Sequence, residues 1–174
     1  SVERIGGYAF RGCTNLTSVT IPNSVNYIGH EAFRNCTSLT SICIPDSITD
    51  IGSLFIGCTN LTNVHIPDGV AGISWAFAGC TSLKSIHIPD SVSVMQSAFK
   101  DCKSLTSVNI PDGVTDIWNA FSGCKSLTNI HIPDSVTNIG NAFLNCTSLT
   151  SVNIPASITS IGQSAFSNCT SLTN

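Results

Sequence analysis

Charged residues are scarce in this sequence. Asp, Glu, Lys and Arg together make up 10% of its 174 residues, and the formal net charge is −3 at pH 7. The seven basic residues are spread along the chain and are not expected to form a stripe, which excludes an electrostatic footprint for nucleic acid. No apolar run approaches the length of a membrane span, and no secretory signal peptide is recognisable. A hydrophobic content of 42% predicts a folded chain.

Motifs that carry chemistry are also missing. No Cys-x-x-Cys pair occurs among the nine cysteines, which disfavours a zinc site. No phosphate-binding loop is present, and the only glutamates are Glu3 and Glu31. Serine and threonine are abundant, but none forms a recognisable set with a histidine and a carboxylate. The sequence therefore predicts a protein that is not an enzyme and that uses no metal or cofactor.

What the sequence does have is a repeat. One cysteine recurs every 22 or 23 residues, at Cys13, Cys36, Cys58, Cys80, Cys102, Cys124, Cys146 and Cys169. Around each lies the skeleton Ala-Phe-x-x-Cys-x-x-Leu-x-x-(Val/Ile)-x-Ile-Pro-Asp-(Ser/Gly)-(Val/Ile)-x-x-Ile-Gly. Units of this length bury a core only by stacking, so the pattern predicts a single solenoid over residues 1–174. Its coils are 1–23, 24–46, 47–68, 69–90, 91–112, 113–134, 135–156 and a truncated 157–174.

Within each coil, the segment from Leu to Ile is the best strand candidate. In 105–110 (Leu-Thr-Ser-Val-Asn-Ile) apolar residues alternate with polar ones, as in a half-buried strand. Pro111 ends the strand because it has no N–H, and Asp112 is expected to bond nearby backbone N–H groups in a turn. In the other half of the coil we expect a short extended piece at 136–139 and a helical turn near 142–145.

The stretch from Ala142 to Pro155, Ala-Phe-Leu-Asn-Cys-Thr-Ser-Leu-Thr-Ser-Val-Asn-Ile-Pro, resembles the leucine-rich repeats of the BspA-like (Treponema pallidum-type) class. The resemblance covers the whole chain, because eight copies match at Phe, Cys and Leu. It implies a mostly β, α/β repeat solenoid: a right-handed superhelix with a parallel sheet on its concave face and short extended or helical-turn segments outside. It also implies bacterial and protist proteins, many secreted or surface-attached and associated with adhesion to host proteins or other cells.

The recurring cysteines are expected to face inward as small buried hydrophobes with free thiols. Neighbours in the column would lie within disulfide range at Cα. Their Cβ vectors, however, run parallel instead of converging as a disulfide requires.

A polar row on the predicted concave face holds three of the four histidines. Cys43, His65 and His87 occupy consecutive coils and could share a metal, but three ligands in a straight row do not converge tetrahedrally. The interpretation we favour is a contact surface for a partner, because solenoids commonly bind on their concave faces. The predicted contact residues are His65, His87, Asn109 and His131, flanked by Asn63, Ser85 and Asn129.

Two further features leave alternatives open. Trp75 and Trp118 lie in a polar loop of the central coils, either as exposed contacts for the same partner or packed over the outer rim. The aspartates that follow proline either bind calcium or a basic partner, or serve turn chemistry, which we favour. They are Asp46, Asp68, Asp90, Asp112 and Asp134.

The sequence therefore predicts a non-enzymatic module for protein binding or cell-surface adhesion, outside the cell or on its surface as the family resemblance implies. Neither end shows a polar capping coil, so we expect a segment of a longer array. The same ends motivate the alternative, a structural subunit that self-associates into a fibre, sheath or coat.

Overall fold

The computed structural model describes all residues from 1 to 174 and shows coils stacked in register. Residues that occupy the same place in successive coils lie side by side and are called a column below. Regular strands are short, and they pair in parallel as β1 with β2, β3 with β4 and β5 with β6. Their bounds are β1 Arg4–Ile5, β2 Tyr27–Ile28, β3 Ser41–Cys43, β4 Asn63–His65, β5 Asn129–Ile130 and β6 Ser151–Val152. The first pair belongs to the Ile-Gly half of the coil and the other two to the Leu-to-Ile half.

The burial pattern predicted for the Leu-to-Ile segments is confirmed, but a continuous sheet is not. In 105–110, Leu105 and Ile110 are buried while Thr106 and Asn109 are exposed. No regular strand forms there, although the Thr106 N–H still donates to the Lys84 carbonyl of the preceding coil at 3.0 Å. The continuous parallel sheet expected along the Leu-to-Ile segments is therefore interrupted at its centre. A period-two pattern reports which side chains are buried, and it does not fix the alignment of backbone groups between coils.

The outer half of the coil contains tight turns and no helix. The N–H groups of Ala142 and Leu144 donate to carbonyls three residues earlier in their own coil, at 3.0 and 3.2 Å. Those of Asn141, Phe143 and Asn145 donate instead to the next coil, at 2.8–3.0 Å. The helical turn predicted near 142–145 is thus wrong, because alternate N–H groups are used to join the coils. This side carries the most regular hydrogen bonding between coils.

Stacked phenylalanine rings form the centre of the core. Neighbouring rings lie 5.2–5.8 Å apart, with interplanar angles of 2–16°. Offset stacking at this separation is favourable for aromatic rings. The column comprises Phe10, Phe33, Phe55, Phe77, Phe99, Phe121, Phe143 and Phe166. The rings and the surrounding aliphatic columns fix each coil in register with the next.

A serine column after Pro-Asp adds a hydrogen bond between coils. Ser91 Oγ donates to the Val70 carbonyl and Ser135 Oγ to the Val114 carbonyl, both at 2.7 Å. Gly69 and Gly113 occupy the same column and lack this bond. A Cβ atom added to Gly113 would lie 3.6 Å from the Val92 carbonyl oxygen, which is ordinary contact. A serine hydroxyl at 113 would therefore reach the carbonyl that the column provides.

We predict that Gly113→Ser raises the free energy of unfolding by about 1–2 kcal/mol. The change adds one hydrogen bond, worth about 0.5–1.5 kcal/mol, and lowers the entropy of the unfolded chain by an amount worth about 0.4–1 kcal/mol. Urea unfolding checks the result. The reverse change, Ser91→Gly, should lower stability by a similar amount. A destabilised Gly113→Ser variant would show that the column does not provide this acceptor.

Candidate functional site

The surface formed by outward side chains of the Leu-to-Ile segments is called the strand face. His65, His87, Asn109 and His131 are all exposed there in one column, on consecutive coils. The register places Cys43 beside His65, and the same pairing sets Ser41 beside Asn63. A second exposed column two residues earlier holds Asn63, Ser85 and Asn129. The structure thus brings the seven predicted polar contact residues into two adjacent rows.

Packing explains why these side chains face solvent. In β4, Val64 is half-buried against the core, whereas Asn63 and His65 on either side of it are exposed. Thr62, just before the strand, donates its hydroxyl to the Thr40 carbonyl of the preceding coil at 3.2 Å. Threonine therefore serves the contact between coils, while the Asn63 amide donates only to the neighbouring Thr62 hydroxyl at 3.3 Å.

Shallow depressions follow this surface. One of about 700 Å³ lies over β3, β4 and the next coil, with Cys43, His65 and His87 in its lining. Smaller depressions at the edge place His65 near Asp46 and His131 near Asp112. No group of three or more His, Cys, Asp or Glu side chains is arranged to hold a metal ion. The geometry is that of an open contact surface with mixed polar and apolar lining.

The thiol column is internal, and all nine cysteines are free. Six of the eight recurring cysteines are buried, while Cys13 is exposed and Cys169 half-buried in the end coils. Each buried thiol donates to a phenylalanine carbonyl of the preceding coil, as Cys102 does to Phe77 at 3.1 Å. Burial raises the pKa of Cys58 and of Cys146 to about 12 and raises the pKa of Cys102 well above its usual value. These thiols are unreactive, because the thiolate is the nucleophilic form.

The aspartates after proline do not perform the predicted turn chemistry. The turn at 111–114 is closed by the Val114 N–H, which donates to the Pro111 carbonyl at 3.1 Å. The Asp112 side chain is exposed and makes no hydrogen bond. Side-chain bonding of turn N–H groups occurs four residues later instead, where Asp116 accepts from the Trp118 N–H at 2.8 Å. The expectation fails because proline already fixes this turn.

Both tryptophans are exposed, at 38% for Trp75 and 40% for Trp118. Trp75 has a φ of 62°, a conformation that is uncommon for a bulky residue. Asn119 and Asn141 in the same column have φ of 57° and 55°, and asparagine adopts this conformation readily. Trp75 lines an apolar depression of about 580 Å³ with Gly72 and Val94. Strained backbone conformations cluster at functional sites, and Trp75 is both strained and exposed beside a depression.

Sequence reasoning selected Trp75 but missed its strain. The signal was available, since Asn119 and Asn141 in the same column indicate positive φ at this place in the coil. Lys100, whose ammonium lies 5.7 Å from the Trp75 ring centre, was also missed. Trp118 lies against Gly140 on the neighbouring coil. Both tryptophans are on the outer side of the coil, away from the strand face.

Comparison with known proteins identifies the repeat. The model of the BspA type leucine rich repeat region matches in six copies, over residues 1–102 and 92–174. No match was found among curated proteins. The structure contains no helix that could cross a lipid bilayer.

Three crystal structures illustrate the similarity. A leucine-rich repeat protein from Bacteroides ovatus is 38% identical with a TM-score of 0.86, over 91% of this chain and 42% of that one. The T. pallidum leucine rich repeat protein is 31% identical with a TM-score of 0.85, over 98% and 83%. A leucine rich cell surface protein from Faecalibacterium prausnitzii is 25% identical with a TM-score of 0.50, over 99% and 76%. The chain thus spans less than half of the Bacteroides protein. With the family model matching along its whole length, this chain belongs to the BspA-type leucine-rich repeat family.

Proposed function

We propose that this chain is a non-enzymatic binding module whose strand face contacts a protein or a cell-surface ligand, outside the cell or on its surface. A similar structure from Faecalibacterium prausnitzii is described as a cell surface protein, which supports the location. Solenoids of this kind present their strand face as an extended concave surface. The contacts we assign are His65, His87, Asn109 and His131, with Asn63, Ser85 and Asn129, and on the outer side Trp75 and Trp118.

The observation that carries this proposal is that some polar side chains have a bonding partner within the chain whereas the exposed histidines have none. Threonine hydroxyls and buried thiols bond to neighbouring coils, as at Thr62 and Cys102, and the aromatic rings stack inside. His65, His87 and His131 make no side-chain hydrogen bond or ion pair within the chain, although they lie in one exposed row. Imidazole side chains combine an apolar body with polar atoms, which suits them to contact a protein surface.

The test measures binding of fluorescently labelled protein to a monolayer of cultured epithelial cells. The strand-face variant carries His65→Thr, His87→Thr and His131→Thr, since Thr20 occupies the same column. We expect at least a tenfold loss of affinity, which corresponds to about 1.4 kcal/mol, because a few residues carry most of an interface's binding energy and the change removes all three histidines of the row. The matched control changes exposed residues of the outer side, Ser93→Ala and Thr115→Ala, where Ala71 shares the column. It should bind like the wild type.

A second variant, Trp75→Asn, separates the two surfaces. Asparagine is native to this column at 119 and 141 and relieves the strained φ, so the fold is retained. If Trp75→Asn abolishes binding while the histidine variant binds normally, the contact lies on the outer side and our assignment is wrong. A wild-type chain that does not bind the cells at all would also contradict the proposal.

A further inference from the structure

Most charged side chains have no partner within the chain. The two ion pairs both use Glu31, which contacts Arg34 at 2.7 Å and Arg11 at 3.5 Å. None of the four lysines and none of the eight aspartates forms an ion pair. In a chain with only 10% charged residues, the placement of these unpaired groups is therefore informative.

The fold gathers the basic residues on one flank, contrary to the expectation that they form no stripe. We define the Cys-turn flank as the part of each coil from the residue after Phe to the first residue after Leu. Spacing along the sequence hides this grouping, because the residues come from different coils. Six of the seven basic residues lie there: Arg11, Arg34, Lys84, Lys100, Lys103 and Lys125. With Arg11 and Arg34 paired to Glu31 and Lys100 over Trp75, the free cations are Lys84, Lys103 and Lys125. The flank also carries one exposed carboxylate, Asp101, so its free charges remain positive in sum.

The Pro-Asp flank is the turn at the opposite end of the Leu-to-Ile segment. Its column of five exposed carboxylates makes no side-chain hydrogen bond and no ion pair. These residues are Asp46, Asp68, Asp90, Asp112 and Asp134. A segment of six residues separates the two flanks by about 20 Å, so the carboxylates do not neutralise the lysines of their own molecule. The coil thus has an acidic end and a basic end.

Three consecutive coils carry a free lysine toward one end and an aspartate at the other: Lys84 with Asp90, Lys103 with Asp112, and Lys125 with Asp134. Lys103 and Lys125 share the column after Cys, whereas Lys84 follows Leu, three residues further along its coil. A second copy displaced sideways by one molecular width, without rotation, sets its lysines against the first copy's aspartate column. Lys103 and Lys125 then face aspartates of successive coils, and Lys84 lies on the coil opposite a third aspartate. Sliding the copy by one or two coils toward Asp46 also leaves three pairs.

We propose that copies of this chain associate side by side, with the Cys-turn flank of one copy on the Pro-Asp flank of the next. The contact joins two different surfaces, so it does not close into a dimer and extends into an open row. The strand face of each copy stays exposed, so the row of copies displays that surface many times. The inference rests on the flanks and is independent of what the strand face binds.

The experiment is sedimentation velocity of the wild-type chain across concentration at low and high salt. At 0.01 M salt the screening length is about 30 Å, and at 1 M it is about 3 Å. We expect the average mass to rise with concentration at low salt and to return to the 18.2 kDa monomer at high salt. A wild-type chain that stays monomeric at low salt, or whose assembly persists at 1 M salt, would overturn the proposal.

Variants with native counterparts test the two flanks. Lys103→Thr with Lys125→Thr follows Thr81 and Thr147 in that column, and the triple change Asp68→Asn, Asp90→Asn and Asp112→Asn follows Asn23. The triple change leaves at most one aspartate opposite the three lysines in each of the three alignments. Both variants should lower the association constant at least tenfold, while Glu3→Gln, outside both flanks, should leave it unchanged. Lys84→Asp with Lys103→Asp and Lys125→Asp makes the Cys-turn flank acidic like the Pro-Asp flank, and Asp68→Lys with Asp90→Lys and Asp112→Lys gives the Pro-Asp flank a net positive charge like that of the Cys-turn flank. Each reversed chain should be monomeric alone, and an equimolar mixture should assemble again. Assembly that these changes do not affect would contradict the assigned surfaces.

Discussion

Replacing Phe99 by alanine is expected to lower the free energy of unfolding by about 3–5 kcal/mol. Its ring is fully buried and stacks on Phe77 at 5.6 Å and on Phe121 at 5.8 Å. The change removes both contacts and leaves a cavity in the middle of the stack. Because each coil is stabilised mainly by its neighbours, weakening a central interface uncouples the two halves. Such a loss is a large part of the total stability of a domain, about 5–15 kcal/mol.

Urea unfolding followed by circular dichroism measures this effect, and Phe166→Ala provides the control. Phe166 is only partly buried and stacks on a single ring, Phe143, at 5.4 Å. Its replacement should cost less than half as much. Besides the smaller loss, the control should keep a single transition, whereas Phe99→Ala should broaden the transition or split it in two. Equal losses at the two positions would show that the column does not couple the coils.

Alkaline pH is expected to unfold the chain between about pH 10 and 11. Burial raises the pKa of the central thiols from 9.0, to about 12 for Cys58 and Cys146. It raises those of Cys80, Cys102 and Cys124 well above 9.0. The folded pKa lies above the unfolded one, so the contribution to stability is complete below pH 9 and is lost as pH rises toward 12. Each such thiol lowers the free energy of unfolding by about 1.4 kcal/mol per pH unit in that window. Five thiols together remove about 7 kcal/mol per unit, comparable with the whole stability of a domain.

The measurement is the slope of unfolding free energy against pH, under reducing conditions. Cys102→Ala with Cys124→Ala should reduce the slope by two protons, even though the variant is less stable at neutral pH. A buried residue with no titratable group offers the control, since Leu105→Ala should lower stability at every pH but leave the slope unchanged. Stability that stays flat up to pH 11 would show that the sulfurs are not buried as thiols.

The buried interior could be predicted from the sequence because successive coils place the same type of residue at each inward position. Each inward position recurs in every coil, so an inward column is recognised from several copies of the same residue type. The columns of Phe, Cys and Leu identified in the sequence are therefore the buried columns of the structure. The exposed positions of the Leu-to-Ile segment follow by alternation, which places His65 and its column neighbours on the surface.

Backbone geometry was less predictable. The outer turns were expected to be partly helical, since nothing in the residue types shows that alternate N–H groups bond to the next coil. Asp112 was expected to close its turn, but the neighbouring Pro111 makes that bond unnecessary. The charged flanks were also missed, because their residues come from different coils and are grouped only when coil register is known. Contacts between coils decide the first and the third of these features.

The functional proposal depends on the same register. If like residues stack, then the threonine hydroxyls and buried thiols bond to neighbouring coils and the aromatic rings stack on one another. His65, His87 and His131 then remain as an exposed row without partners in the chain. Family membership gives the scaffold, and the exposed rows give the surface available for binding.

Diffraction at long wavelength, which locates sulfur atoms by their anomalous signal, tests the register most directly. Our account predicts that the sulfurs from Cys13 to Cys169 lie in one file with a regular separation of about 5 Å, and that none is bonded to another. Sulfurs scattered through the molecule, or joined in pairs at about 2 Å, would contradict it.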